Sequence, residues 1–438
     1  MSNARSTLRE SAVRSYCRNF PAQFDTAQAA YISDVNGKRY IDFLAGCGAL
    51  NYGHNNPHLR NALINYLDHG GIAMSMDLAT QSKTSFLQAF ETYILKPRKM
   101  NYRAQFTGPT GANAVEAAIK LARKVTGRNN VIGFTNAFHG CSLGALSLTA
   151  NAHHRASSSA LLNQVTRHPY DQYFGPSVDT AAQLQALLED PSSGVDLPAA
   201  IILEVIQGEG GLNVATRKWL ESIQQIAYDF DVLLIVDDIQ AGCGRRGKFF
   251  SFEDHGISPD IVTLAKSLSG YGLPMSMVLI RPDLDQWTPG EHNGTFRGNN
   301  LAFVTATAAL ETYWSNDDLE REIGEKAAIM QARLQEIASR FGFRVKGCGL
   351  LQGLEVYDPE LSQLIRSRCF KSGLIFEACG PRDTVLKMMP PLTIDQQVML
   401  DGLDILSDSV AASRIKPFEI TSTSSSTQIK EFIAWKLP

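Results

Sequence analysis

Between about residues 100 and 300, short apolar, β-branched runs alternate with helix-like stretches, and that alternation leaves the chain few folds to choose from. Val131–Phe134, Ala200–Leu203, Val232–Val236 and Ile261–Ala265 are too short for helices and too continuously apolar for strands with one wet face. Parallel strands covered by helices on both sides are expected. One intervening helix is closely defined, because Val115, Ala118, Ile119 and Ala122 recur at helical spacing just after Gly108-Pro109-Thr110-Gly111-Ala112-Asn113. Arg217–Phe230 reads as a second amphipathic helix leading into the 232–236 run. From about residue 310 the chain becomes helix-rich and then mixed, with Gly347–Glu355 and Leu386–Met389 expected as strands of a smaller domain. Near the N-terminus two alternating runs flank Asn36-Gly37, a dipeptide that favours a hairpin turn. Thr421–Thr427 is low-complexity Ser/Thr and is expected to be an exposed linker.

A chain of 438 residues has enough length for more than one core. Its 41 basic and 44 acidic residues are dispersed and nearly cancel, which gives no electrostatic case for nucleic acid. The 7 cysteines form an odd set without C-x-x-C spacing, an argument against a disulfide framework or a zinc site. No stretch reaches the roughly 18 continuous apolar residues of a membrane span. The expectation is a cytoplasmic protein acting on small molecules, with no metal, no nucleic acid and no membrane.

Two of the strand-like runs end in ionisable residues. Val232–Val236 is followed by Asp237-Asp238, and Ile261–Ala265 by Lys266. Parallel strands bring such ends to one sheet edge, where open α/β sheets bind ligands. A carboxylate at the end of five apolar residues needs a partner, and a protonated pyridine nitrogen supplies one. A lysine beside it traps a carbonyl as a Schiff base. That pairing is what pyridoxal 5'-phosphate requires. Other strand ends offer further parts: a helix N-terminus with a hydroxyl at Thr110-Gly111-Ala112 for a phosphate, an aromatic at Phe138-His139-Gly140 for the ring, and the carboxylates Glu204 and Glu209 in a glycine-rich loop. Asp238 is expected to face away from the site, and Gln240 to reach the cofactor's phenolic oxygen. Each feature taken alone also suits an ordinary loop or a snorkelling side chain. Their order, each at a strand end, is what joins them.

That ordered series, continued by Gly244-Arg245, Pro259-Asp260-Ile261 and Thr295-Phe296-Arg297-Gly298-Asn299, resembles the class III aminotransferases, the ornithine and ω-amino acid type, from about residue 20 to 415. The resemblance implies the fold type I of pyridoxal-phosphate-dependent transferases. This is an α/β fold whose large domain has a mostly parallel seven-stranded sheet, with a smaller α+β domain drawn from both termini. The implied boundaries are 1–70 for the N-terminal segment, 71–309 for the large cofactor-binding domain, 310–420 for the C-terminal small domain and 421–438 for the tail. It also implies catalytic roles for Lys266 and Asp237, a cofactor cradle of Thr110, Gly111, Ala112, Phe138, His139 and Gln240, and a homodimer or higher assembly in which Thr295 touches the neighbouring subunit's cofactor phosphate. Within the class, Phe106–Glu116 and Glu291–Asn300 resemble the branch that forms 2,4-diaminobutyrate from glutamate and aspartate 4-semialdehyde, for ectoine, siderophores and other products.

The chain departs from the class pattern in three places. Ala112 stands where a threonine is usual, so one phosphate-binding hydroxyl is expected to be lost. Arg246 replaces a threonine, a change expected to be peripheral. Glu209 matches a gate carboxylate that pairs with an arginine when a diamine occupies the site, yet here Lys387 precedes Pro390-Pro391-Leu392 in the arginine's place. Lysine lacks the planar, two-pronged grip of arginine on a carboxylate, which leaves open what holds the substrate's carboxylate.

Overall fold

The computed structural model describes residues 9–156 and 162–414, so the expected linker and tail at 421–438 lie outside the described residues. After a one-turn helix at Tyr16–Asn19 come three strands, β1 (Phe24–Gln28), β2 (Tyr31–Asp34) and β3 (Arg39–Asp42), each antiparallel to the next. The expected hairpin is β2–β3. Asp34 Oδ1 accepts the backbone N–H groups of Asn36 at 2.9 Å and Lys38 at 3.0 Å and so closes the turn.

The central sheet is built from β4 (Arg103–Phe106), β5 (Val131–Phe134), β6 (Val165–His168) and β7 (Ala200–Leu203). After a short two-stranded ribbon, β8 (Ile206–Gln207) and β9 (Asn213–Val214), come β10 (Leu233–Asp237), β11 (Ile261–Leu264) and β12 (Met277–Ile280). Seven strands pair in the order β4-β12-β11-β10-β7-β5-β6, and β12 alone runs against the rest. Every residue of β5, β7, β10, β11 and β12 is buried, as expected of strands covered on both faces.

Alternate side chains serve the two layers. Ala200 and Ile202 meet helix Gly111–Thr126, whereas Ile201 and Leu203 join the cluster of helix Arg217–Asp229 with Trp219, Leu220, Ile223 and Ile226. Burying each Leu or Ile of this kind contributes about 1.5–3 kcal/mol. Helix Gly111–Thr126 buries Ala114, Ala117 and Leu121 beyond the expected stripe and stops at Gly127, which adopts a left-handed φ of 67°.

Beyond residue 310 come helix Asp318–Phe341, strands β13 (Arg344–Cys348) and β14 (Leu351–Glu355), helix Pro359–Lys371, strands β15 (Leu374–Ile375), β16 (Glu377–Cys379) and β17 (Val385–Met388), and helix Gln396–Arg414. The single strand expected at Gly347–Glu355 is instead the end of β13, a turn and the whole of β14, two strands of one hairpin. Gly349 turns the chain at φ 62°, with a position for a β-carbon only 2.2 Å from the Arg245 carbonyl oxygen, so glycine is required there. The order β13-β14-β17-β16 forms one small sheet. Strand β15 leaves that sheet and pairs in parallel with β3, Leu374 opposite Ile41, which joins the two ends of the chain.

Candidate active site

Strands β4, β5, β7, β10 and β11 are parallel to one another, so their C-terminal ends share one edge, and a cavity of about 290 Å³ opens there. Its walls bring together Thr110, Gly111, Ala112, Phe138, His139, Glu209, Asp237, Gln240 and Lys266. The β10–β11 register sets Asp237 beside Thr263, three residues before Lys266. Lys266 has a φ of 51°, an uncommon conformation for a side-chain-bearing residue and one that collects at functional sites.

Asp237 is 5% exposed and held by three hydrogen-bond partners. Its Oδ1 accepts from Thr263 Oγ1 and from the Ile239 backbone N–H, each at 3.2 Å, and its Oδ2 lies 2.7 Å from His139 Nδ1. Burial alone would lower the His139 pKa, but the bonded Asp237 outweighs it and raises it above the usual imidazole value. The histidine therefore supports the aspartate from behind while lining the cavity. Behind it, Glu204 accepts the Phe138 backbone N–H at 3.0 Å. Burial pushes the Glu204 carboxyl up to about 7, with His139 acting in the opposite direction. Asp238 is buried away from the cavity and accepts the Ser251 backbone N–H at 3.1 Å.

Thr110 caps helix Gly111–Thr126 in a reciprocal arrangement with Asn113, and its hydroxyl donates to Asn113 Oδ1 at 2.9 Å. The cap leaves the first backbone N–H groups of the helix to serve an anion. Ala112 packs against Gly140, where a β-carbon would lie 2.6 Å from the Ala112 β-carbon, so the small residue at 112 fits a tight seam. Arg246 stays at the periphery in an ion pair with Asp254 at 3.1 Å. Thr295 is exposed and does not line this chain's cavity.

At the other wall, Gln240 Nε2 donates to Glu209 Oε1 at 3.0 Å, and Lys387 Nζ donates to the same oxygen at 2.7 Å. The Lys387 ammonium is fully buried and has a second counter-ion that the sequence did not suggest. Glu377 sits opposite it across β16–β17, with Oε1 at 2.8 Å in an ion contact without hydrogen-bond alignment. Burial opposes the charge of Lys387, yet the two carboxylates raise its pKa well above the usual lysine value. Lys387 and Lys266 in turn hold Glu209 below the usual carboxylate range against the effect of burial. Tyr16 Oη donates to Glu377 Oε2 at 3.1 Å and Cys47 Sγ lies 2.9 Å from that hydroxyl, so the N-terminal segment closes the cluster.

The chain that sets this amine and this acid at adjacent strand ends matches the family model of aminotransferase class III along residues 13–410. The chain belongs to the class III aminotransferases. This class III chain is 54% identical over 400 residues to the diaminobutyrate–2-oxoglutarate transaminase of Vibrio cholerae, covering 91% of its own length and 97% of the relative's. It is 52% identical over 406 residues to the enzyme of that name from Bordetella parapertussis, with 92% and 93% covered. Among solved structures, the ornithine aminotransferase of Toxoplasma gondii superposes with a TM-score of 0.79 at 26% identity, over 94% of this chain and 92% of that one. A class III aminotransferase works with pyridoxal 5'-phosphate. The cavity fits that group by its donor set: an engaged carboxylate for a ring nitrogen, a lysine for an aldehyde, and open backbone N–H groups for a phosphate.

Proposed function

We propose that the chain transfers an amino group between L-glutamate and aspartate 4-semialdehyde, giving L-2,4-diaminobutyrate and 2-oxoglutarate reversibly in two half-reactions at one site. What carries the reading is the agreement of several relatives bearing that reaction in their names, at 51–54% identity over more than nine-tenths of the chain. Bound pyridoxal 5'-phosphate supplies an aldehyde for the amine and an electron sink for the charge left when a proton leaves the substrate carbon. Lys266 holds the group and then carries that proton, Asp237 keeps the ring nitrogen protonated, and Thr110, Gly111 and Ala112 take the phosphate. In the same reading Phe138 and His139 flank the ring, Gln240 approaches the phenolic oxygen, and Glu209 with Lys387 tells a diamine from a dicarboxylate. Residues 71–309 then form the cofactor-binding domain and 310–420 the smaller one, completed by 1–70.

The test is a panel of amino donors against 2-oxoglutarate. 2,4-Diaminobutyrate is expected to exceed ornithine, which has one more methylene, by roughly tenfold or more in kcat/KM, the range a single methylene commands. 4-Aminobutyrate and lysine are expected to be poorer still. Equal rates on all four would end the assignment.

We further propose a homodimer in which Thr295 reaches the neighbour's phosphate site. Ile72, Met74, Met76, Leu78 and Phe296 are exposed, and the two segments are linked through Ser75 N–H to the Gly298 carbonyl at 2.9 Å, so one apolar patch surrounds the Thr295 turn. Sedimentation at micromolar concentration is expected to give twice the chain mass, and a monomeric, fully active enzyme would refute the shared site. No helix among the described residues is long and apolar enough to cross a membrane. A cytoplasmic home belongs to the same reading, and recovery in a membrane or secreted fraction would contradict it.

A further inference from the structure

A second cavity, of about 430 Å³, adjoins the first and shares Phe138 and Glu209 with it. Two arginines line it, Arg155 from the end of helix Ala152–Arg155 and Arg167 from β6. Burial and then the neighbouring Arg155 lower the Arg167 pKa, so the two guanidiniums feel each other's charge. Like charges placed together normally carry counter-ions. Among the described residues neither arginine pairs with a carboxylate, and each keeps a buried Nε without a hydrogen-bond partner. Arg167 spends one arm on the Ser147 carbonyl oxygen. Of the carboxylates on the walls, Glu209 is committed to Lys387 and Gln240, and Asp383 is exposed. His154, beside Arg155, packs edge-on against Phe138 at 5.4 Å between ring centres, which ties this arginine's helix to the reactive cavity.

We propose that Arg155 and Arg167 form the subsite for the carboxylate at the far end of the substrate. The inference rests on the reaction proposed above, whose chemistry explains why one fixed cation pair suffices. In 2,4-diaminobutyrate and aspartate 4-semialdehyde the reacting carbon is separated from the carboxyl carbon by the same number of carbon–carbon bonds as in glutamate and 2-oxoglutarate, counted to the distal carboxyl. All four therefore present an anion at one reach from Lys266. Lys387 is poorly suited to receive it, because two carboxylates already neutralise its charge. Guanidinium forks grip a carboxylate through paired hydrogen bonds. The gate of Glu209 and Lys387 is then left to deal with what differs between the half-reactions, the extra carboxylate on the reacting carbon of glutamate.

Arg155→Gln should raise KM for both 2,4-diaminobutyrate and 2-oxoglutarate by about 30-fold or more with a much smaller change in kcat, as expected when one partner of a buried charge pair is lost. Arg155→Lys should recover part of the loss. Calorimetric binding of glutarate, a dicarboxylate with nothing to transaminate, should weaken by a similar factor in Arg155→Gln. In the donor half-reaction alone, followed in a single turnover without an acceptor, 1,3-diaminopropane, which is 2,4-diaminobutyrate without its carboxylate, should react equally with the wild type and the variant. Unchanged KM values and unchanged glutarate affinity would overturn the subsite, and so would a parallel loss on 1,3-diaminopropane. If the unaltered enzyme ignores 2,4-diaminobutyrate, the proposed reaction fails, while the glutarate measurement still decides on the two arginines.

Discussion

Replacing Lys266 by alanine should lower turnover on the order of ten-thousandfold or more, because the substitution removes both the amine proposed to hold the cofactor and the group proposed to carry the proton. No bystander is placed to take over. The buried Lys387 is held between Glu209 and Glu377 and does not itself line the cavity. The fold should tolerate the change. Lys266 already bears a β-carbon at φ 51°, so alanine adds no backbone strain that the native chain does not carry. Melting should therefore stay within a few degrees of the wild type, while the visible absorbance of the lysine-bound cofactor disappears. Turnover within about tenfold of the wild type would mean that Lys266 is not the attachment point.

Asp237→Asn should cost roughly a thousandfold in kcat. The amide keeps the size of the side chain but not its charge, and breaking a buried ion pair on one side costs about 3–5 kcal/mol. An amide N–H would also be set against one of three donors that now converge on the carboxylate, Thr263 Oγ1, Ile239 N–H or His139 Nδ1. The His139 pKa should fall in the variant, because Asp237 is what raises it against the pull of burial. Proton NMR of the His139 ring alongside steady-state rates separates the two effects. A kcat within about fivefold, with His139 titrating as before, would remove Asp237 from the catalytic role.

The parallel strands were legible because continuous apolar runs have one explanation when helices alternate with them, and their ends placed Asp237 and Lys266 on one edge before any coordinates were needed. Thr110, Gly111, Ala112, Phe138 and Gln240, expected as a cofactor cradle, line the cavity at the same edge. What stayed hidden depends on register between distant segments. Lys387 stood out in the sequence, but its second counter-ion is Glu377, fixed by the pairing of β16 with β17, and no local pattern announces that pairing. Tyr16 and Cys47 reach the cluster from the far N-terminus. Arg155 and Arg167 look like ordinary surface arginines until the fold turns both toward Phe138. The strand expected at Gly347–Glu355 hides a hairpin, because the tight turn at Gly349 is only one glycine among Gly347, Gly349 and Gly353 and nothing local marks it as the bend.

The pairing of β3 with β15 has a consequence for synthesis. Ile41 leaves the ribosome early, but its partner Leu374 is made only after most of the chain has followed. Until then one edge of the N-terminal sheet is open, with unpaired backbone groups that can recruit the wrong strand. Closure across so large a sequence separation is intrinsically slow. The central sheet has no such wait, since all its strands lie between residues 103 and 280. The central sheet can thus pair before the β3–β15 seam forms, and crowded, fast translation should expose this protein through that late seam.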